Sequence, residues 1–449
     1  MGIALLTSGT YDAGDSVMHY QIAHYAFQHP ENFLSHWGKP FFTLVSSPFA
    51  ALGFTGMQLF QCLLAFGTGW MTYKNALRLG LKPAWFAPLL VLAAPEFFLS
   101  QMSGLTEPFF AFILTLGVFL MLHQRRMLGA LAFSMLPFVR TEGFLLLPTI
   151  AVFLAFKRQW DAIPALGMGT VVYAVLGTVF LGDPLWIWNQ NPYANMAMNY
   201  GVGTWGHFPQ QYVFVVGIPI YALTIGGLLA APMRWWLGWS KARTEEILLV
   251  AGTFGTYFFA HMYFWATGTG HSLGMLRVMI AIVPMGALLA MGSLDALGRL
   301  LGEGRLRFTK VIVGMLAAYT AAFPAIPNPA AIHADELELS VDQRLLIRCI
   351  DYMRENDLMS RKVYCVHPSG AFFAGIDPFN PEKFRSLNRY AADNPPAGCL
   401  LLIDSWFAKI ESGMVPSDFD AQPNRYTLRF KAEDRLDDLP IGVYLYEKI

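Results

Sequence analysis

The sequence is poor in charge. Only 14% of its 449 residues are Asp, Glu, Lys or Arg, whereas a soluble globular protein carries about a quarter. The 31 basic and 31 acidic side chains cancel, so the net charge gives no reason to expect a nucleic-acid partner. The chain also has only 4 cysteines. It contains no HExxH motif, no Cys/His cluster at zinc-site spacing and no internal repeat, which argues against a zinc site or a repeat fold.

The charge that is present is unevenly distributed. Residues 1–329 contain 17 basic and 12 acidic side chains, whereas the shorter segment 330–449 contains 14 basic and 19 acidic ones. The first segment has the composition of a membrane protein, and the second has that of an ordinary water-soluble domain. We therefore predict a transmembrane domain over 1–329 and a small soluble domain over 330–449.

Apolar runs of near membrane-spanning length recur through the first segment. Two of them, 127–139 and 142–156, are short and are predicted to form a tight pair that turns at Arg140. The predicted fold class is a polytopic α-helical membrane protein with about 10 spans. The runs are 56–74, 83–99, 105–122, 127–139, 142–156, 161–181, 212–233, 246–266, 275–294 and 308–325.

The distribution of Lys and Arg orients these spans, because both residues concentrate in cytoplasmic loops. If successive spans alternate strictly in direction, 14 of the 17 basic residues of segment 1–329 fall on the cytoplasmic side. The domain 330–449 is then extracytoplasmic, on a protein of the inner or plasma membrane. Residues 7–55 become an outer loop, and since Met1–Leu6 is too short to cross the membrane, we expect one N-terminal span to be missing.

Three basic residues, Lys39, Arg140 and Arg277, fall on or near the outer side instead. A charge buried in the membrane costs about 2.5–3.5 kcal/mol and is rarely kept without a role. Two interpretations remain open: ion pairs between helices, or a site that opens outward and binds an anion. The acidic residues predicted on the same side are Asp12, Asp15, Glu31, Glu96, Glu107, Glu142 and Asp183.

The outer loop begins with a predicted helix. Asp15 opens a stretch of helically spaced apolar residues that ends at Pro30. His19 follows Asp15 by one turn and lies on the same helix face. Asp15 can also serve as a plain N-cap, and this role does not exclude a chemical one.

Five short pieces of this segment match a known family. In order they are Gly14-Asp15 with His19-Tyr20, Lys39-Pro40, Thr106-Glu107-Pro108, Arg140-Thr141-Glu142-Gly143, and His271 through Arg277 to Pro284. Over about residues 7–325 the chain resembles the GT-C glycosyltransferases, and it is similar to their protein O-mannosyltransferase and lipid A aminoarabinose transferase branch. Two departures are the absent first helix and an Asp12-x-x-Asp15 pair in place of Asp-x-Asp, which leaves metal dependence open.

The resemblance implies a glycosyltransferase that uses a polyprenyl-phosphate donor. It would move a sugar, a mannose-like hexose or similar, to a protein, lipid or glycan acceptor outside the membrane, as in cell-envelope glycosylation. Asp15 would deprotonate the acceptor, and a single attack would invert the anomeric centre. Arg277, helped by Lys39 and Arg140, would bind the donor phosphate.

Other residues of the same pieces are expected to orient the acceptor, the sugar or a metal ion. They are Asp12, His19, Glu107, Glu142 and His271. A divalent cation, Mg²⁺ or Mn²⁺, if one is used, would be held by Asp12, Asp15 and Glu107.

Local structural roles stay open beside these assignments. Thr106 is expected to cap a helix, with Glu107 favoured near the positive end of its dipole. Arg140 can form an ion pair with Glu107 or Glu142. Arg277 can instead extend to the lipid headgroups.

The segment 330–449 is predicted to be a small α/β domain. Ser340 and Gln343 form a capping box at the start of a helix that runs to about Glu355. Its three cysteines allow at most one disulfide. The predicted strands are 362–367, 399–404, 426–431 and 441–447.

Two other functions remain as alternatives. The first is a transporter or flippase for a lipid-linked sugar, although such proteins often show paired repeats and mid-membrane sites. The second is a non-enzymatic assembly subunit whose outer domain binds partners. The collection of polar groups on one side of the membrane favours the glycosyltransferase.

Overall fold

The computed structural model describes residue 2 and residues 7–192, 201–240, 242–269, 273–301, 306–388, 394–436 and 439–449. Up to residue 325 these residues form helices joined by short loops. A π-helical segment, Glu245–Gly252, leads into α13, and a 3-10 segment, Leu276–Ile282, leads into α14. The helices are α1 (Asp15–His24), α2 (Pro40–Ala50), α3 (Phe54–Leu79), α4 (Phe86–Leu92), α5 (Pro95–Leu99), α6 (Glu107–Leu122), α7 (Arg126–Ser134), α8 (Leu146–Phe156), α9 (Met168–Leu181), α10 (Trp186–Asn189), α11 (His207–Val216), α12 (Ile218–Trp236), α13 (Thr253–Thr267), α14 (Val283–Leu301) and α15 (Leu306–Ala322).

The structure confirms a polytopic membrane fold but divides the spans differently from the sequence prediction. Among the described residues, 3 continuous helices are long and apolar enough to cross a membrane: Trp160–Leu181, Glu245–Thr267 and Leu276–Leu301. Two bent pairs, α2 with α3 at 119° and α5 with α6 at 116°, raise the number to 5 if each pair is one span. The predicted short pair is confirmed as two shorter apolar helices, Arg126–Phe138 and Thr141–Phe156.

Two of the predicted spans are interrupted for local chemical reasons. The run 83–99 breaks before Pro95, because proline disfavours helical geometry in the residue that precedes it. Ala94 is accordingly extended, and Pro95 begins α5. The run 212–233 breaks at Gly217, whose φ of 80° is readily adopted only by glycine.

The helix Leu276–Leu301 lies at the centre of the transmembrane domain. In its apolar stretch of 18 residues, 94% is buried inside the protein, whereas in the corresponding stretch of Trp160–Leu181 only 28% is buried. A helix that is apolar and exposed suits a lipid-facing position, as Val175 and Phe180 of α9 illustrate. The central helix therefore places Arg277, near its N-terminal end, among the other helices of the bundle.

The C-terminal segment folds as the predicted small α/β domain. Its sheet has the strand order β2-β1-β3-β5-β4, with β1 parallel to β2 and β3 and with β5 antiparallel to β3 and β4. The capping box of Ser340 and Gln343 is confirmed, and all 4 cysteines carry free thiols. The elements are α16 (Val341–Glu355), β1 (Val363–Cys365), α17 (Ser369–Ala374), β2 (Phe384–Ser386), β3 (Leu400–Asp404), α18 (Phe407–Ser412), α19 (Pro416–Asp420), β4 (Tyr426–Leu436) and β5 (Leu439–Lys448).

This domain lies against the outer loop of the transmembrane domain. The amide of Gly9 donates to the carbonyl of Leu337 at 3.2 Å, and the ring of Phe372 packs edge-on against Tyr20 of α1. His29 Nε2 lies 2.8 Å from a carboxylate oxygen of Asp377. The C-terminal domain thus covers the segment in which Asp12 and Asp15 lie.

Candidate active site

Arg277 brings together carboxylates from distant parts of the chain. Its Nη1 lies 2.6 Å from Oδ2 of Asp12, and its Nη2 contacts Oδ2 of Asp15. Its Nε lies 3.7 Å from Oε1 of Glu107. The sequence left two interpretations open for the three basic residues: ion pairs between helices, or a site that binds an anion. The ion pairs are present, and three carboxylates from separate positions contact the one guanidinium group of Arg277.

The loop before α1 positions the first two of these carboxylates. Oδ1 of Asp12 accepts hydrogen bonds from the amides of Gly14 and Ser16, each at 3.0 Å. Asp12, not Asp15, therefore satisfies donors of the first helical turn. The predicted N-cap role of Asp15 is wrong, because Gly14 occupies the cap and Asp15 is the first helical residue. The Asp15 carboxylate is thereby left to pair with Arg277.

Close backbone contact brings Glu107 to the same place. The amide of Gly104 donates to Oγ of Ser16 at 2.8 Å. A Cβ atom on Gly104 would lie 2.2 Å from the carbonyl oxygen of Ser16, so only glycine allows this approach. The contact fixes the loop before α6 against α1, and Glu107 begins α6.

Arg140 extends the cluster beyond Glu107. Its Nη1 lies 2.7 Å from Oε1 of Glu107, and its Nη2 lies 2.9 Å from Oε1 of Glu142. The predicted ion pair is confirmed with both candidate partners. The predicted capping by Thr106 is wrong in one respect: Thr106 occupies the N-cap position, but its side chain makes no capping bond. Its hydroxyl accepts from Nη1 of Arg140 at 3.3 Å.

Solvent exposure is highest at the two aspartates of the cluster and lowest at Glu107. The side chains of Asp12 and Asp15 are 28% and 29% exposed, that of Arg277 is 10% exposed, and that of Glu107 is 2% exposed. The two aspartates therefore lie at the entrance of the cluster. A ligand that approaches from solvent meets them before it meets the guanidinium group.

Lys39 and His19 are buried beside these ion pairs. Burial lowers the pKa of Lys39 to about 8, although the carboxylate of Glu142 opposes the shift. Lys39 is thus still protonated at neutral pH. Burial and the charges of Lys39 and Arg277 hold the pKa of His19 well below its usual range. His19 is therefore a neutral imidazole.

The backbone is strained at three positions beside the cluster. Tyr11, Lys39 and Leu273 have φ values of 62°, 60° and 53°, which side chains with a Cβ atom rarely adopt. Such conformations cost about 1–3 kcal/mol each and concentrate at functional sites. Tyr11 directly precedes Asp12 of the ion cluster, Lys39 is itself buried, and Leu273 lies four residues before Arg277.

Comparison with known proteins gives one informative likeness. No protein-family model matches the chain, and no curated protein sequence matches it. Among solved structures, ArnT from Cupriavidus metallidurans, bound to undecaprenyl phosphate, superposes with a TM-score of 0.61 at 13% sequence identity. The match covers 99% of this chain and 96% of that chain. The chain has the GT-C fold.

The GT-C fold confirms the family resemblance noted in the sequence, whereas at this identity the residue roles stay predictions. The structure brings Asp12, Asp15, Glu107 and Arg277 into direct contact. Arg140 and Glu142 join them through Glu107. His271 lies outside the described residues.

The predicted metal ligands are engaged with arginine. Asp12, Asp15 and Glu107 each contact Arg277. Within the part of the chain that the structure describes, no group of three or more His, Cys, Asp or Glu residues is arranged to hold a metal ion. A divalent cation would have to displace a buried guanidinium group, so the arrangement does not fit one.

Several polar residues beside the ion cluster were not predicted from the sequence. His261 of α13 is fully buried, and neither ring nitrogen has a hydrogen-bond partner among the described residues. An ionisable residue inside an apolar span was a signal available in the sequence. Gln343 and Ser369 of the C-terminal domain hold the loop before α1 through Thr10 and Ala13. No local pattern in the sequence indicates those two contacts.

Proposed function

We propose that this protein is a glycosyltransferase that moves a sugar from a polyprenyl-phosphate donor to an acceptor. The observation that supports it most directly is the buried Arg277, which is paired with the more exposed Asp12 and Asp15. It occurs in a fold shared with ArnT, whose structure contains undecaprenyl phosphate. Arginine suits phosphate because its planar fork donates paired hydrogen bonds.

Donor binding and base activation would be coupled in this arrangement. The phosphate group must compete with Asp12 and Asp15 for the N–H groups of Arg277. When the phosphate takes those donors, Asp15 loses its ion pair and is released toward the acceptor. A free carboxylate would therefore appear beside Arg277 only when the donor is in place.

The reaction follows from these positions. The acceptor oxygen forms a bond to the anomeric carbon while the bond from that carbon to the phosphate oxygen breaks. The electron pair leaves with the phosphate, and the acceptor proton passes to the carboxylate of Asp15. Arg277 stabilises the charge that develops on the phosphate. One attack from the opposite face inverts the anomeric centre.

The remaining residues position these groups or add charge. Glu107 is buried between Arg140 and Arg277, so we assign it to hold both guanidinium groups. Glu142 holds the other side of Arg140. Lys39, protonated at neutral pH, adds a third positive charge for the phosphate.

We propose a mannose-like hexose as the sugar, a plasma or inner membrane location, and an extracytoplasmic C-terminal domain.

The test is transfer of radiolabelled sugar from polyprenyl-phosphate hexoses, incubated with membranes that contain the full chain. We expect released polyprenyl phosphate and a labelled acceptor. Asp15→Asn should lower the rate about 10²- to 10⁴-fold, the usual contribution of a general base. Glu31→Gln is the matched control, because Glu31 is an exposed carboxylate of the same outer segment.

Three results would contradict the proposal. Transfer by Asp15→Asn at near wild-type rate would remove the assigned base. Passage of lipid-linked sugar across the membrane without a labelled product would favour the transporter. A cellular phenotype unchanged by joint substitution of Asp15, Arg140 and Arg277 would favour an assembly subunit.

A further inference from the structure

A second polar feature lies at the other end of α6. A cavity of about 440 Å³ is lined in part by Leu122, the last residue of that helix. Glu107, in the cluster described above, is its first residue. At 1.5 Å per residue, the 16-residue helix separates the two places by about 24 Å. The cavity is therefore distinct from the Arg277 site.

Basic side chains from three separate segments line this cavity. Arg78 lies near the end of α3, Lys157 follows α8, and Arg243 precedes the π-helical segment. Nζ of Lys157 lies 2.7 Å from Oε1 of Glu245, which also lines the cavity. Among the described residues, Arg78 and Arg243 have no ion-pair partner, so the lining has an excess of positive charge.

An unsatisfied hydroxyl group gives independent evidence for a ligand. Ser240 lines the cavity and is 5% exposed. Its Oγ has no hydrogen-bond partner within the described part of the chain, although a buried hydroxyl normally has one. Thr244 and Glu245, at the start of the helical run Glu245–Thr267, form another wall. The first amides of a helix are available to an anion.

The surroundings place the cavity at the membrane surface. Phe156, beside Lys157, is 73% exposed, and Trp236 at the end of α12 is 80% exposed. Exposed aromatic rings at helix ends are typical of the interface between lipid and water. Basic pockets between transmembrane helices at this level bind phosphate-bearing lipid headgroups.

We propose that this cavity binds a phosphate group, supplied by the headgroup of an anionic phospholipid. Arg78 and Arg243 would grip the phosphate, and the Ser240 hydroxyl would donate to it. The proposal does not depend on the glycosyltransferase assignment, because it involves other residues at another end of the bundle. Free inorganic phosphate offers the same chemistry, and the experiment separates the two sources.

The experiment measures lipid binding to the full chain in detergent by native mass spectrometry. The probes are phosphatidylglycerol and, as a phosphate-free lipid, diacylglycerol; inorganic phosphate is titrated separately. The variant is Arg78→Gln with Arg243→Gln. The control is Arg125→Gln with Arg158→Gln, which removes the same charge from exposed residues outside the cavity lining.

We expect the wild type and the control to bind phosphatidylglycerol in preference to diacylglycerol. The Arg78→Gln, Arg243→Gln variant should bind it about tenfold more weakly, while Arg78→Lys with Arg243→Lys should be intermediate because lysine lacks the paired donors. Size-exclusion elution shows whether each variant is folded. Variant-sensitive binding of inorganic phosphate alone would assign the site to free phosphate.

Two outcomes would overturn the proposal. One is an equal loss of phosphatidylglycerol binding in the variant and in the control. This result would show that binding depends on the surface charge alone and not on the cavity. The other is retention of phosphatidylglycerol and diacylglycerol to the same extent by all variants, with no response to inorganic phosphate.

Discussion

The transmembrane domain contains two clusters of buried charge that are built differently. The outer cluster consists of Asp12, Asp15, Glu107, Arg140, Glu142 and Arg277. The inner cluster consists of Arg234, Glu246, Asp295 and Arg299. In the inner cluster, Nε of Arg234 donates to Glu246 at 2.8 Å and its Nη1 contacts Asp295. Asp295 also accepts from Nε of Arg299 at 2.8 Å.

The two clusters differ in how fully their polar atoms are used. In the outer cluster, Nε of Arg140 and Nε of Arg277 are buried without a hydrogen-bond partner. The inner cluster has no such atom among the described residues. A buried charge is costly unless it is paired and hydrogen-bonded. The inner cluster therefore fits a structural role, whereas the outer one keeps bonding capacity that a ligand can use.

Breaking the inner cluster should have the largest effect on stability. Arg234→Gln leaves Glu246 and Asp295 buried without their shared cation, which should cost about 3–5 kcal/mol of unfolding free energy. Thermal unfolding in detergent measures the loss. Arg299→Gln is the control, because Arg299 is 38% exposed and should cost about 1 kcal/mol or less. Equal losses for both variants would show that the inner cluster is not held by Arg234.

Breaking the outer cluster should affect ligand binding more than stability. Arg277→Gln should weaken polyprenyl-phosphate binding at least about tenfold, since hydrogen bonds to charged groups contribute about 1.5–3 kcal/mol. The unfolding temperature should change less than for Arg234→Gln, because Asp12 and Asp15 can be hydrated. Arg277→Lys should bind with intermediate affinity. An unchanged affinity in Arg277→Gln would remove the phosphate role.

The pKa of Lys39 predicts that donor binding depends on pH. As the pH rises through about 8, Lys39 loses its proton and its attraction for phosphate. Affinity for a polyprenyl-phosphate hexose should therefore fall by up to about tenfold between pH 7 and pH 9. This is the effect expected from the loss of about one hydrogen bond to a charged group. Lys39→Arg should remove this dependence, because arginine stays charged. If the wild type and Lys39→Arg show the same dependence of donor affinity on pH, another group is responsible for that dependence.

The smallest expected effect concerns the C-terminal domain. Oγ of Ser369 donates to the carbonyl of Ala13 at 2.8 Å, beside the aspartates of the outer cluster. Ser369→Ala removes a bond with a net contribution of about 1 kcal/mol, so sugar transfer should fall about fivefold at most. Ser412→Ala is the control, since its bond to Leu387 lies within the domain. Equal rates in the two variants would show that the contact does not position the loop.

The sequence predicted the features that depend on local pattern. The composition indicated a membrane protein with a soluble C-terminal domain, and the turn at Arg140 and the helix that begins after Ser340 are found where they were expected. Arg234 is one of the 14 basic residues that alternation places in cytoplasmic loops, yet it is fully buried. The counting of basic residues cannot distinguish an exposed arginine at a helix end from one that is paired inside the bundle.

Other differences have equally simple causes. The strand β2 was not predicted because its three residues, Phe384–Ser386, include a single apolar side chain, whereas the equally short β1 is apolar throughout. Capping of α1 by Asp15 was left open as an alternative, but Asp12 accepts the bonds from Gly14 and Ser16. Both aspartates are compatible with a helix start, and only the loop conformation decides between them.

The sequence by itself determined the membrane character of this protein, indicated many of its helical runs, and singled out Lys39, Arg140 and Arg277 among its basic residues. These follow from transfer free energies and helix periodicity, which act over one or two turns of chain. Only the tertiary structure decided that Arg277 pairs with Asp12 and Asp15, which are 265 and 262 residues away. Pairing energy depends on distance in space, and the packing of the helices, together with the close approach at Gly104, fixes that distance.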